Sequence, residues 1–184
     1  MAKNKHKNTK NTKNRKKPTS RKKIEVRPSE DNKEERLLRA EVYLELYDQD
    51  GQVERLLDSE DMKRMFHQAF ERYRREMQKA VNKMPSTNIS VAQSMMNELF
   101  KKDDYEQRYI AELVDQLKIN ICLFCKYNKR IPDEKSDADE LKNMLQAIAN
   151  ELSQSLVKGF EKQVLNHIQA NKMKADLLRW MRNR

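Results

Sequence analysis

Residues 58–84 read DSEDMKRMFHQAFERYRREMQKAVNKM. Met62, Phe66, Ala69, Tyr73, Met77, Ala80 and Met84 recur at intervals of four, three, four, four, three and four. Such intervals put seven apolar side chains on one stripe of a helix, whereas a strand would scatter them over both faces. Asp58 or Ser59 can cap this helix, and Pro85 ends it. The rest of its surface carries Lys63, Arg64, Arg72, Arg74, Arg75 and Lys79 beside Glu71 and Glu76. An amphipathic helix of this length needs other helices to cover its apolar stripe.

The neighbouring segments supply them. Upstream, Leu37, Leu38, Val42, Leu44 and Leu46 mark a shorter helix from about Lys33, with Tyr43 and Tyr47 four residues apart. Its apolar positions do not fall on one clean stripe, so it is either buried on two sides or replaced over 40–46 by a strand. Asp48-Gln49-Asp50-Gly51 breaks it, with Gly51 suited to the positive φ of a C-cap. Downstream, Ser86–Ser90 reads as a linker. A helix follows from about Ser90 to Lys101, with a Ser90/Gln93 capping box. Asp103 or Asp104 caps the next one, whose stripe is Tyr105, Tyr109, Leu113, Leu117, Ile121 and Phe124 and which ends at Ile131-Pro132. The last pattern runs Leu141, Leu145, Ile148, Leu152, Leu156, Phe160, Val164, Ile168, then Leu177, Leu178 and Met181. It spans about 45 residues, far beyond the usual globular helix. It either bends, at Gly159 or near Asn171, or projects from the body, and it is long enough for a coiled-coil seam.

Composition agrees. Only two of 184 residues are Gly, which argues against Gly-rich phosphate loops, nucleophile elbows and Rossmann turns. The expected fold is all-α: a bundle of about five helices, a long C-terminal helix and a disordered basic N-terminal arm. The expected divisions are arm and linker 1–32, helical bundle 33–131, and a C-terminal helical segment 132–184 that packs on the bundle or mediates association. No run of about 18 apolar residues marks a membrane span, and the N-terminus lacks the apolar core of a secretory signal. An intracellular location is expected: cytoplasm or nucleoid, or nuclear if the source is eukaryotic.

Charge is segregated. Residues 1–28 hold 12 basic side chains against Glu25 alone, a net of +11; residues 29–184 hold 27 basic and 28 acidic. The arm has almost no apolar residue before Ile24, so it cannot bury enough surface to offset its chain entropy. A cationic arm on a neutral body suits phosphate backbones, through Coulomb attraction and counterion release. Without aromatic residues it cannot stack on bases, so its binding would be sequence-independent and salt-dependent. Lys16, Lys17, Arg21, Lys22 and Lys23 are its densest contacts. The bland alternatives are a solubility segment, a nuclear address or attachment to an anionic surface. In the body, Arg64, Arg72, Arg74, Arg75 and Lys79, with Tyr73 at hand, form a second candidate surface; the alternative is a solvated face with internal ion pairs. Arg179 and Arg182 beside Trp180 form a third.

Other chemistry is sparse. Cys122-Leu123-Phe124-Cys125 supplies at most two metal ligands, where structural zinc needs four, and it sits inside a helical run rather than after a strand. His67 and His167 are isolated. The acids at 58–61 and 133–140 fall at helix starts, where they cap and complement the dipole. A helix-turn-helix over Val91–Leu113 lacks the small-residue turn and would turn Asp104, Glu106 and Glu112 to the groove. Neither a catalytic residue, a metal nor a cofactor is expected. The reading is a non-enzymatic nucleic-acid-associated protein, DNA- or RNA-binding through the arm, with self-association or a protein partner through the C-terminal helix. The alternative is a protein-interaction adaptor whose tail is only an address.

Overall fold

The computed structural model describes residues 32–183; the basic arm expected over 1–32 falls outside them but for Asn32. Six helices and no strand occur among the described residues: α1 (Asn32–Tyr47), α2 (Gln52–Leu57), α3 (Glu60–Lys83), α4 (Ser86–Phe100), α5 (Tyr105–Asn128) and α6 (Ala138–Arg182).

Helix α3 is as its spacing requires. The Ser59 hydroxyl accepts the Met62 amide at 3.3 Å, and the stripe from Met62 to Ala80 is buried, with Tyr73 and Met77 wholly so. Three long helices share its core. Helix α6 runs parallel to α3: Met65 and Gln68 share a groove with Lys142 and Leu145, while Lys83 shares one with Glu161. Helix α5 runs antiparallel to α6, with Tyr109 Oη 3.0 Å from Ser153 Oγ and Arg130 paired with Asp137 where the chain turns. Helix α1 lies along α5 in the same direction, since Lys33 meets Glu112 and Glu41 meets Lys118. Helix α4 packs antiparallel on the C-terminal part of α3, where Gln78 donates to Gln93 at 2.9 Å. Where α4 hands over to α5, the rings of Phe70, Tyr73, Phe100, Tyr105 and Tyr109 form one cluster, with Tyr73 and Tyr109 stacked at 5.0 Å.

Several expectations need correction. The expected bundle of about five helices is present, and residues 52–57 add a short helix, α2, that the sequence reading takes for part of a break. The Asp48 carboxylate accepts the Gln52 and Val53 amides, each at 2.7 Å, and buries Val53, Leu56 and Leu57 behind it. Gly51 does take positive φ, 65°, but as the N-cap of α2. Residues 40–46 are helical, not a strand. Ser86–Ser90 is no linker: α4 starts directly after Pro85, and the Asn88 amide donates to the Pro85 carbonyl at 2.8 Å. Proline at the helix threshold loses no needed amide, which favours this start. The Ser90/Gln93 box is not made; Gln93 pairs with Gln78 and Asn97 instead. Helix α5 stops at Asn128, before Ile131-Pro132, through Lys129 at φ 56°.

Helix α6 runs unbroken for 45 residues. Gly159 marks no close approach, since a Cβ there would meet nothing within 4 Å. Leu141, Leu145, Ile148, Phe160 and Val164 are spent within the bundle, and every residue from 169 to 183 is exposed. Of the two geometries expected for the long helix, projection from the body is the one observed. No helix among the described residues is long and apolar enough to cross a membrane.

Candidate nucleic-acid interface

The basic face expected on α3 divides in two, because α6 and α4 pack on opposite flanks of its apolar stripe. Arg72, Glu76, Lys79 and Lys83 each precede a stripe residue by one position and face α6. Glu71, Arg74, Arg75 and Gln78 face α4.

On the α4 side the charges are largely satisfied. Arg74 Nη1 lies 3.0 Å from Glu71 Oε1, with its guanidinium 5.4 Å from the centroid of Phe100. Arg75 Nε donates to the Glu71 carbonyl at 3.2 Å. Near the start of α3, Arg64 lies 3.4 Å from Asp61, and Lys63 stands between Asp58 and Glu60 at 3.9 Å. These are exposed pairs between near neighbours in the chain, each worth a few tenths of a kcal/mol, about 0.3–0.5. Here the solvated-face alternative describes the geometry.

The α6 side differs. A groove of about 420 Å³ is lined by Arg72, Lys79, Lys83 and Lys158 against Glu76 and Glu161, with Ala80 and Val157 also in its wall. A second depression continues it past Arg72 to Lys142 and Gln146. Together they form a seam from Met65 to Lys83, about 27 Å long at the helical rise. It carries five cations and two acids. Lys79 is held by Glu76 at 2.8 Å, and that hydrogen bond pulls the Glu76 carboxyl below its ordinary range. Arg72, Lys83, Lys142 and Lys158 enter no ion pair among the described residues, so their charge faces the groove. No aromatic ring lines either depression, so the seam can hold phosphates but offers nothing for bases to stack on.

Tyr73 does not serve as the expected aromatic neighbour of this surface. It is wholly buried, its hydroxyl 2.7 Å from that of Tyr105, and burial raises its phenol above the ordinary range. Arg179 and Arg182 do not join the surface either. Arg72 stands level with about Asn150, and Arg179 lies 29 residues further along α6, roughly 40 Å away. The sequence reading passes over Lys83, Lys142 and Lys158. The signal for them is that each borders an apolar stripe: Lys83 before Met84, Lys142 after Leu141, Lys158 after Val157. The arm residues Lys16, Lys17, Arg21, Lys22 and Lys23 lie outside the described residues.

The remaining candidates take structural places. Cys122 and Cys125 are both buried, and burial pushes the Cys125 thiol up to about 11, leaving it protonated at neutral pH. His67 is exposed with Nδ1 2.8 Å from Glu106, which lies 16 residues, about 24 Å, before Cys122 on α5. His167 meets Asn171 at 2.9 Å on the last turns of α6. The acids at 133–140 order the α5–α6 turn. Asp137 takes two hydrogen bonds from Arg130 and the Asp133 amide, while Asp133 accepts the Lys135 and Ser136 amides. The Arg130 hydrogen bonds bring the Asp137 carboxyl down to about 2. No group of three or more His, Cys, Asp or Glu side chains suited to a metal ion occurs among the described residues. Comparison with protein-family models, with curated proteins and with solved structures yields no match.

Proposed function

We propose that this chain is a non-enzymatic nucleic-acid-associated protein that grips phosphate backbones at two places. The arm, at +11 over 28 residues, supplies most of the affinity; the α3–α6 seam aligns the strand on the body. The observation that carries the reading is the charge segregation: nearly all the excess positive charge sits in one segment, on a body that is close to neutral. Arg72, Lys83, Lys142 and Lys158 add a local cationic track to that neutral body. With no Phe, Tyr or Trp on the seam or in the arm, contacts to base edges and faces are few, so the reading is sequence-independent binding.

The test is anisotropy with a labelled mixed-sequence duplex and a single strand, using full-length protein and a 29–184 truncation across a salt series. The truncation keeps every residue that is buried among the described ones, from Ala40 to Val164. Full-length protein binds with a steep salt slope, and the truncation binds more weakly with a shallower one. Absence of binding by both at about 50–100 mM salt, where phosphate contacts are strong, would refute the reading.

A second reading, a protein-docking module with an address tail, is favoured by one observation: α1 and the end of α6 both expose apolar stripes. Tyr43, Met95, Met96 and Leu177 do not add one shared patch to these stripes: Met96 is buried and Leu177 lies on the projecting end of α6.

A further inference from the structure

Helices α1 and α5 carry rings and cations on a shared flank that the bundle does not use. On α1, Arg36, Arg39, Tyr43 and Tyr47 follow one another at three, four and four residues, which is one stripe of a helix. The Tyr43 and Tyr47 rings are stacked, with centroids 5.6 Å apart and planes 12° from parallel. From α5, the Lys126 ammonium stands 4.8 Å from the Tyr43 centroid. Leu123, three residues before Lys126, and Tyr127, one residue after it, stand on the same flank of α5 by helical spacing. The other flank of the α1–α5 pair is the one where Glu41 meets Lys118.

The rings on this flank are open to a ligand, and its charge is positive. Tyr127 is 83% exposed, and Tyr47 and Leu123 are 36 and 42% exposed. Arg36 and Lys126 enter no ion pair among the described residues. Of the acids nearest the edge of the flank, Glu35 is held by Arg39 and Glu112 by Lys33. A face built for an apolar partner helix would present aliphatic side chains in a row. Here rings and cations alternate, which is the combination that grips single-stranded nucleic acid: bases stack on the rings, and phosphates pair with Lys and Arg. In a duplex the bases already stack on one another and turn their phosphates outward, so the rings have nothing to take from it.

We propose that the α1–α5 flank is a stacking site for the bases of single-stranded DNA or RNA. One base lies on the Tyr47 ring and another on Tyr127, while Lys126 and Arg36 pair with phosphates of the same strand. The inference rests on the nucleic-acid reading and adds to it a preference for single strands. It supplies the rings that the arm and the seam lack, and it shares no residue with the seam. Stacking accepts every base, so binding stays independent of sequence.

The test measures anisotropy of full-length protein with three labelled probes at about 100 mM salt: an oligo-dT strand, an abasic strand of equal length and a mixed-sequence duplex. The abasic strand keeps the phosphates and lacks the bases. The protein binds oligo-dT about tenfold more tightly than the abasic strand, the worth of one stacked base. Tyr47→Ala/Tyr127→Ala protein binds the two strands alike, and Tyr47→Phe/Tyr127→Phe protein keeps the preference, because Phe retains the stacking face. Leu46→Ala, on the neighbouring stripe of α1, leaves the preference in place. Circular dichroism checks the fold, and Tyr127→Ala alone, at a position almost wholly in solvent, lowers the preference without touching the Tyr43–Tyr47 stack. A wild type with no preference for oligo-dT overturns the proposal, and so does a preference that survives Tyr47→Ala/Tyr127→Ala. If the duplex and the abasic strand bind with a steep salt slope and oligo-dT binds no better, the stacking site alone falls. If none of the three probes binds, the nucleic-acid reading falls with it. A wild type that sediments as an oligomer, and that Tyr127→Ala turns into a monomer with the oligo-dT preference intact, overturns the proposal in favour of a protein contact.

Discussion

Reversing Arg72 and Lys158 together tests the seam directly. In the 29–184 chain the groove cations that enter no ion pair among the described residues are Arg72, Lys83, Lys142 and Lys158, since Glu76 holds Lys79. Each phosphate contact contributes about 0.9 to the slope of log affinity against log salt on duplex and about 0.7 on single strands. Four contacts set a ceiling of about 3.6 on duplex and about 2.8 on single strands. Arg72→Glu/Lys158→Glu removes two of them, so the duplex slope falls by about 1.8. A shared Arg74→Glu/Arg75→Glu control on the α4 flank, where Glu71 already engages both side chains, changes the slope by less than one contact, under about 0.9. The assay is anisotropy at five or six salt concentrations, with circular dichroism to check that each variant is folded. If the seam variant keeps the parent slope, or if the α4-flank control loses as much, the seam does not carry phosphate contacts and the reasoning fails.

Three further outcomes follow from the packing. Tyr73→Phe keeps the ring stack and loses only the hydroxyl bond to Tyr105, costing about 1 kcal/mol in urea unfolding, whereas Tyr73→Ala opens the aromatic cluster and costs about 3–5 kcal/mol. Equal costs would show that the rings are not packed as described. Lys129 ends α5 at φ 56°, a conformation glycine adopts freely, so Lys129→Gly raises stability by up to about 1 kcal/mol, or about 2–4 °C in melting temperature. A lowered melting temperature would contradict this. Arg130 depresses the Asp137 carboxyl to about 2, below its unfolded value near 3.8, so this pair stabilises the fold above pH 4 and its contribution is lost as pH falls from about 4 to 2. Urea midpoints measured over that range fall more steeply for the parent than for Asp137→Asn, and parallel curves would remove the pair from the account.

Much of the architecture was legible because helices are specified by short-range periodicity. The stripe of α3 needed only 27 consecutive residues, and Ser59, Asp58 and Pro85 marked its ends. The stripes of α5 and α6 were read in the same way. Boundaries set by local hydrogen bonds were less visible. Ser86–Ser90 looked like a linker because Ser, Thr and Asn favour turns, yet Pro85 provides a ready helix start and the following turn propagates from it. Helix α2 depends on one carboxylate, Asp48, reaching two amides four and five residues ahead, and Asp-Gln-Asp-Gly alone reads as a break.

The candidate site divides along the same line. The charge excess of the arm is a property of composition and needs no fold to be seen. That α3 carries cations on both flanks of its stripe is equally a matter of spacing. Which flank becomes a groove depends on which helix lies against it, and Lys142 and Lys158 come from 60 to 80 residues further along the chain. The sequence also showed that the apolar pattern of α1 fits no single stripe and that α6 is too long for a bundle of this size. Only packing decided that Ala40 and Leu44 face inward while Leu38, Val42 and Leu46 do not, and that α6 outruns the bundle after Ile168. Periodicity fixes what a helix offers on each face; the neighbours that occupy those faces are chosen by the fit of distant segments, which no local window contains.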